Sequence, residues 1–122
     1  MARREDKPHK KLDVWQQAIK LTQTIYEMTG AFPAEEKFGL VSQMRRAAVS
    51  IPCNIAERAA RQGKKEFRNF VSMAQGSLSK LDTQLELAVM LGYYTKDRLD
   101  ELSLPLSRID KMLTGLIRSL GR

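Results

Sequence analysis

The chain has 122 residues, of which 43% are hydrophobic, and a net charge of +7, so it is expected to form one soluble domain with a buried core. Cys53 is the single cysteine, which excludes an internal disulfide and a cysteine-based zinc site and indicates a reducing compartment, the cytoplasm. No stretch approaches the roughly 20 apolar residues of a membrane helix. The basic N-terminus is followed by no apolar segment typical of a signal peptide.

The N-terminal part of the chain divides into a polar stretch and an amphipathic one. Residues 1–11 lack periodicity, which predicts a flexible basic arm before a single domain spanning 12–121. From Leu12 to Met28, apolar residues recur at helical spacing over an arc of about 200°. Gly30 and Pro33 mark the end of this helix. The arc is wide for one buried face, so the helix is predicted to bury two faces or to add a subunit contact to one.

A second helix is predicted from about Glu35 to Gly63. Its apolar seam alternates steps of 3 and 4 and consists of Val41, Met44, Ala48, Ile51 and Ile55. Pro52 lies inside this pattern, where it lacks a backbone donor and crowds the carbonyl of Ala48, so a kink is expected there. Because the seam stays in phase across the proline, one bent helix is favoured over two separate helices.

The third predicted helix has the most regular spacing. Its seam consists of Phe67, Val71, Ala74, Leu78, Leu81, Leu85 and Ala88. Gly92 is the candidate C-cap. Beside the seam runs a strip of small residues, namely Ser72, Gly76, Ser79 and Thr83. Such a strip is typical of either a close approach by another helix or an exposed polar face, and the latter is the commoner case.

A fourth helix is predicted to start after Thr95, whose side chain can cap it. Its apolar residues keep the same rhythm: Leu99, Leu102, Leu106, Ile109, Leu113, Leu116 and Leu120. Pro105 interrupts without changing the phase, which predicts a second kink. No segment alternates strictly between apolar and polar residues as a strand does. The pattern predicts an all-α fold, an antiparallel up-down-up-down four-helix bundle with crossing angles of about 20°.

Most catalytic chemistry lacks the residues it needs. His9 is the single histidine and lies in the predicted arm, so neither a histidine-based triad nor a histidine metal site can be assembled. There is no glycine-rich phosphate loop and no Glu-x-x-His pair of the di-iron bundles. Cys53 has no histidine near it in the sequence and is interpreted as a small helix residue. The prediction is a protein that is not an enzyme and has no metal or other cofactor.

Positive charge is concentrated in the middle of the chain. Residues 45–68 contain seven basic and two acidic residues, whereas residues 81–110 contain three basic and six acidic ones. The candidate phosphate-binding residues are Arg45, Arg46, Arg58, Arg61, Lys64, Lys65 and Arg68. Arg45 is the weakest candidate because it projects nearest the apolar seam. Such asymmetry favours a face that binds a polyanion, and a merely solubilising surface is the equal alternative.

The aromatic residues bear on which nucleic acid such a face would bind. Trp15 and Phe67 fit core seams, and only Tyr93 and Tyr94 are expected to be exposed, so little stacking on single-stranded bases is predicted. No helix-turn-helix or zinc-finger pattern is present. The backbone of a structured RNA is therefore the favoured ligand.

Four runs of sequence resemble the four-helix-bundle family, also called 23S rRNA-intervening-sequence proteins: KLDVWQQAIKL (11–21), EEKFGLVSQMRRAAVSIPCNIAER (35–58), KEFRNFVSMAQGSLSKLDTQLELA (65–88) and LGYY (91–94). The SIPxNIAE and FxxFxxxAxGSLxxL patterns are the most specific. The chain departs from the family at Cys53, usually a small residue such as serine, and at Arg58, usually glycine, which puts a tight turn there in doubt.

The resemblance implies a left-handed bundle and assembly into a ring-shaped homopentamer. It also implies a distant similarity to the accessory proteins of diversity-generating retroelements, which partner a reverse transcriptase and nucleic acid. It carries over no catalytic residue. The leading hypothesis is thus a cytoplasmic, oligomeric RNA-binding protein that uses the seven basic residues on phosphates. The alternative is a protein–protein adaptor, and an enzyme of a new kind is a distant third.

Overall fold

The computed structural model describes residues 4, 7–60 and 63–120, of which residues 11, 58–60 and 120 are described by their backbone alone. Four long helices make up this part of the chain: α1 (Asp13–Thr29), α2 (Leu40–Ala60), α3 (Lys64–Met90) and α4 (Lys96–Leu120). Short 3-10 turns occupy Pro8–Lys11 and Ala34–Glu36. The described residues contain no strand, so the predicted all-α, four-helix fold is confirmed.

The predicted seams supply the core. All five seam residues of α2 are buried, as are those of α3 from Val71 to Ala88 and those of α4 from Leu99 to Leu113. The largest fully buried side chains come from all four helices: Ile25, Met44, Ile51, Ile55, Val71, Leu81, Leu85, Ile109 and Leu113. The helices therefore share one apolar core, as steps of 3 and 4 require.

Helices adjacent in the sequence pack against each other, and α4 also packs against α1. Three side-chain hydrogen bonds join successive pairs: Thr22 to the carbonyl of Ala48 (3.1 Å), Ser50 to Ser77 (2.7 Å) and Gln75 to Thr114 (2.9 Å). Arg45, which precedes Ala48 on α2, contacts Tyr26 and Thr29, which follow Thr22 on α1. The two helices therefore run in opposite directions. This pairing is consistent with the predicted antiparallel order, while the left-handed twist stays a prediction.

Pro52 and Pro105 both lie inside continuous helices, as the unbroken phase of the seams predicted. Pro52 is itself buried. The kinks at these two positions stay predictions. The expectation of one long second helix, rather than two shorter ones, is confirmed, but the helix begins at Leu40 and not near Glu35, because Ala34–Glu36 form a separate 3-10 turn.

The predicted helix boundaries at Gly92 and Thr95 are confirmed. After α3 ends, Gly92 adopts a positive φ of 81°. The amide of Tyr93 donates to the carbonyl of Ala88 (2.9 Å) and that of Gly92 to Val89 (3.0 Å), the paired bonds of a Schellman motif. The Oγ1 atom of Thr95 accepts a 3.3 Å bond from the amide of Arg98 and so caps α4.

The α1–α2 and α3–α4 connections meet at one end of the bundle. The hydroxyl of Tyr93 donates to Oε2 of Glu36 (3.0 Å), and its ring lies 5.5 Å from that of the buried Phe32. Tyr94 is also half-buried, and Arg98 lies 6.0 Å from its ring. The expectation that both tyrosines are exposed is wrong, because each ring packs against the core beside the neighbouring connection.

The N-terminal turn packs on α1. The ring of His9 lies 5.1 Å from that of Trp15 in an edge-on arrangement, and Nε2 of Gln16 donates to the carbonyl of Lys10 (2.9 Å). Burial and the positive charges of Lys10 and Lys7 lower the pKa of His9. Residues 1–3, 5 and 6 of the predicted basic arm lie outside the described residues, so the flexibility of the arm stays a prediction.

α1 buries one face within the chain, formed by Val14, Ala18, Leu21 and Ile25. Ile19 and Tyr26, which belong to the same wide apolar arc, remain more than one-third exposed. The wide apolar arc of α1 is therefore not buried on two full faces within one chain. The small strip of α3 is likewise exposed, and a Cβ atom added at Gly76 would meet nothing within 4 Å.

Candidate nucleic-acid interface

The first two turns of α3 present three exposed cations, Lys64, Lys65 and Arg68. Gly63 precedes the helix in an extended conformation (φ −81°, ψ 136°), and its carbonyl accepts a 3.0 Å bond from the amide of Phe67. No side chain caps this helix start. Free amides and the helix dipole give this end a partial positive charge, to which the cations add. Glu66 in the first turn offsets part of this charge, but the three cations leave a net positive charge that attracts anions.

Arg46 and Lys80 line an open groove between α2 and α3. The groove also contains Gln43, Ala47, Ser50, Ser77, Thr83 and Gln84. None of these eight residues is acidic. Within the described residues, neither Arg46 nor Lys80 has a hydrogen bond or an ion pair, so both charges are available to a ligand.

Arg45, although adjacent to Arg46 in the sequence, points to α1. Its Nε donates to Oγ1 of Thr29 (3.0 Å), its Nη2 donates to the carbonyl of Tyr26 (3.2 Å), and its guanidinium lies 4.6 Å from the Tyr26 ring. These contacts occupy carbonyl and hydroxyl groups at the C-terminal end of α1. Arg45 therefore has a structural task that a phosphate contact would have to displace.

Two of the seven predicted residues cannot be placed. Arg61 and the side chain of Arg58 lie outside the described residues. The remaining cations form two groups, one at the start of α3 and the other at Arg46 and Lys80. With about 1.5 Å of rise per residue, Lys65 and Lys80 are about 22 Å apart along the axis of α3.

Lys80 was missed by the sequence reading. It is the single basic residue of α3 after Arg68 and lies outside the basic stretch of residues 45–68. Its position next to Arg46 depends on how α2 and α3 pack. No periodicity within one helix contains that information.

The groove between α3 and α4 carries the opposite charge. It is lined by Asp82 and Asp110, with Ser79, Ser103 and Ser107 beside them. Asp110 also accepts a 3.4 Å contact from Nε2 of Gln75. The uneven charge distribution in the sequence thus corresponds to two neighbouring grooves of opposite sign on either side of α3.

Among the residues that the structure describes, no cluster of histidine, cysteine, aspartate or glutamate is arranged to hold a metal ion. Cys53 is exposed on α2 and forms no disulfide. The described helices also include none that is long and apolar enough to cross a membrane.

The family model described as "23S rRNA-intervening sequence protein" matches residues 10–115. The chain belongs to this family. The match spans all four helices, so the resemblance inferred from the four sequence runs is confirmed at the family level. No sequence among the curated proteins matches.

The intervening-sequence fold recurs in a crystal structure from Bacteroides thetaiotaomicron. That structure is of a protein of unknown function from the S23 ribosomal protein family; it superposes with a TM-score of 0.78 and 22% identity, over 86% of this chain and 95% of its own. At this identity the similarity supports the fold alone. Neither description names an enzyme.

Proposed function

We propose that this intervening-sequence protein is a non-enzymatic RNA-binding protein that engages backbone phosphates with cations of α2 and α3. The observation that carries the proposal is the placement of Lys64, Lys65 and Arg68 at the start of α3. These three cations outnumber Glu66, the acidic residue of the first turn, and positive charge is unfavourable at a helix N-terminus. A bound phosphate would reverse that penalty, because it adds negative charge where the dipole and the side chains are positive.

The charges of the α2–α3 side suit an extended polyanion. Arg46 and Lys80 have no partner within the described part of the chain, and Lys64, Lys65 and Arg68 form a second exposed cationic group at the start of α3. The description of the matching family refers to 23S rRNA, and for this reason we propose RNA rather than DNA as the ligand. Arg58 and Arg61 stay in the proposal as sequence predictions. Arg45 would contribute only after breaking its hydrogen bond to Thr29.

The proposed active form is a cytoplasmic homo-oligomer, and the resemblance suggests a pentamer. The exposed Ile19 and Tyr26 of α1 support this because apolar side chains of a wide arc gain by burial between subunits. Several identical basic faces on one assembly would bind a long RNA more tightly than one face.

A salt series with a labelled RNA hairpin tests the proposal. Each phosphate contact in a duplex contributes about −0.9 to the slope of log affinity against log salt. We expect a slope of about −3 or steeper for the wild-type protein, and a weaker slope for the double variant Lys64→Gln, Lys65→Gln. The matched control is Lys20→Gln with Lys111→Gln, which removes two exposed lysines from α1 and α4. Folded, oligomeric protein that binds no RNA at low salt would overturn the proposal.

A protein–protein adaptor is the second candidate, and a separate surface favours it. Phe38 is 89% exposed and Met90 is 81% exposed. Phe38 follows Glu36 by two residues and Met90 precedes Tyr93 by three, so the Glu36–Tyr93 hydrogen bond brings both segments to the same end of the bundle. Exposed apolar side chains that form one patch mark contact surfaces, and the adaptor hypothesis assigns Phe38 and Met90 to such a patch.

The resemblance to retroelement accessory proteins suggests a reverse transcriptase or another nucleic-acid enzyme as the partner of this end surface. The double variant Phe38→Ser, Met90→Ser distinguishes the two candidates. An adaptor would lose a co-purifying partner in this variant, whereas an RNA-binding protein would have no such partner to lose and would keep its RNA affinity.

A further inference from the structure

The groove between α2 and α3 contains an unusual polar group. It is an open groove of about 560 Å³ with Arg46 and Lys80 among its lining residues. Gln84 also lines it and is only 5% exposed, yet its Oε1 atom has no hydrogen-bond partner in the described structure. A buried acceptor without a donor is unfavourable, and such groups are rare in folded proteins.

The hydroxyl groups of the groove already have hydrogen-bond partners, and that of Thr83 donates to the carbonyl of Ser79 (3.0 Å). The hydroxyls of Ser50 and Ser77 share a 2.7 Å hydrogen bond, and Nδ2 of Asn54 donates to Oγ of Ser50 (3.0 Å). This network joins α2 to α3 along the groove. Gln84 is therefore a buried group of the groove that needs a donor. Its Oε1 atom is closed to solvent, so the terminal amide has to rotate about its soft torsion before that oxygen can meet a ligand.

A ligand that fits this groove would combine two features: negative charge to pair with Arg46 and Lys80, and a hydroxyl or amide group to donate a hydrogen bond to Gln84. An RNA backbone carries both, since each nucleotide has a phosphate and a 2′-hydroxyl that can donate. DNA has the phosphate without the hydroxyl. An acidic peptide also has charge and donors, but a second group of cations lies at the start of α3, where Lys65 is about 22 Å from Lys80 along the helix axis, and two separated cationic groups favour a long polyanion.

We propose that the α2–α3 groove is an RNA-backbone site in which Arg46 and Lys80 hold a phosphate and the side chain of Gln84 accepts a hydrogen bond from a ribose 2′-hydroxyl. The inference rests on the proposed RNA-binding function and adds to it a means of distinguishing RNA from DNA. Gln84 is the selective residue, because phosphate contacts alone are the same in both nucleic acids.

The test compares a labelled RNA hairpin with a DNA hairpin of the same sequence, at one salt concentration, on the full chain. Gln84→Met removes the acceptor at similar volume. It is expected to lower RNA affinity about fivefold and to leave DNA affinity unchanged. Lys80→Gln with Arg46→Gln is expected to weaken both ligands about tenfold, because phosphate contacts are shared. The matched control is Lys111→Gln on α4, which should change neither affinity.

Wild-type protein provides an independent readout if a variant folds poorly. Titration of isotope-labelled protein with the RNA hairpin should shift the side-chain amide signals of Gln84, and titration with a fully 2′-O-methylated hairpin, which cannot donate at that position, should not produce the same shift. Equal losses for RNA and DNA in Gln84→Met, or identical signal changes with both RNA hairpins, would overturn the inference.

The outcome for the groove can be separated from that for the proposed function. If RNA affinity depends on Lys64 and Lys65 but not on Lys80 and Gln84, the groove site is wrong and RNA binding stands. If wild-type protein binds neither hairpin but binds an acidic peptide at Arg46 and Lys80, the RNA-binding function and the groove site are both wrong. The adaptor hypothesis then replaces them.

Discussion

The Nε atom of Arg45 donates a hydrogen bond to Oγ1 of Thr29, 3.0 Å away, and joins α2 to the last turn of α1. Thr29 is 2% exposed, and its hydroxyl in turn donates to the carbonyl of Ile25 at 2.6 Å. A cation is favourable at this end of α1 because the helix dipole is negative there. Arg45 and Arg46 are thus sequence neighbours with different surroundings, one paired within the fold and the other without a partner in the described structure.

Arg45→Met is expected to lower the free energy of unfolding by about 1–2 kcal/mol, because it removes the donor to Oγ1 of the buried Thr29 and one of the donors to the Tyr26 carbonyl. Chemical denaturation measures the change. The matched control is Arg46→Gln, which should stay within about 0.5 kcal/mol of wild type. Equal effects of the two changes would show that the Arg45 contacts contribute nothing to stability.

Lys65→Glu is expected to raise the free energy of unfolding by about 0.5 kcal/mol at low salt, because an acidic residue suits the first turn of α3. The same change should weaken RNA binding if the proposed function is right. Thermal unfolding at low and high salt measures the first effect, which salt should screen. Lys111→Glu, in the middle of α4, is the control and should give no comparable stabilisation.

The hydrogen bond between Tyr93 and Glu36 predicts an alkaline pH dependence. That bond, followed by burial and the nearby acidic charges, raises the pKa of Tyr93 above its usual value of 10.0. Since the folded state holds this proton more tightly than the unfolded state, the stabilisation is complete below pH 10.0 and is lost as pH rises through the folded-state pKa.

Ultraviolet titration of the tyrosines should therefore show that Tyr93 ionises at a higher pH in wild-type protein than in Glu36→Gln, because the neutral amide of Gln no longer opposes the phenolate. Tyr93→Phe identifies the signal. Tyr93 ionisation at the same pH in wild type and Glu36→Gln would contradict the assigned cause.

Leu81→Ala is expected to lower the free energy of unfolding by about 2–5 kcal/mol, because Leu81 is fully buried where the helices meet. Met73 on the same helix is more than half exposed, so Met73→Ala should cost much less. Denaturant midpoints at constant slope measure both. Similar losses at the two positions would mean that the seam is not the core of the folded bundle.

The helices were predictable because each is long and its apolar spacing is regular. The seam from Val41 to Ile55 identified the buried face of α2 even across Pro52, and Gly92 and Thr95 identified helix ends through local hydrogen bonds. These features depend on neighbours within a few residues along the chain. The exposure of Tyr93 was predicted wrongly because its partners, Phe32 and Glu36, lie on the other connection.

The candidate site was less predictable than the fold. Charge counting identified the basic stretch and, with it, Arg46 and the cations at the start of α3. The position of Arg45 near the apolar seam marked it as the weakest candidate but did not reveal its partners on α1, and charge counting overlooked Lys80 and Gln84, which join Arg46 in one groove. Lys80 and Gln84 follow Arg46 by more than thirty positions and are brought to it by helix packing.

By itself, the sequence determined which residues become helical, which face of each helix is buried, and that the chain has a net positive charge. Periodicity is a property of short stretches, and net charge is a sum over the chain. The tertiary structure decided which polar residues share a surface: it paired Arg45 with Thr29, set Lys80 beside Arg46 and left the buried oxygen of Gln84 without a donor. The physical reason is that a side chain's partners across a helix interface depend on the axial register and rotation of two helices, and neither quantity is encoded in the spacing of either helix alone.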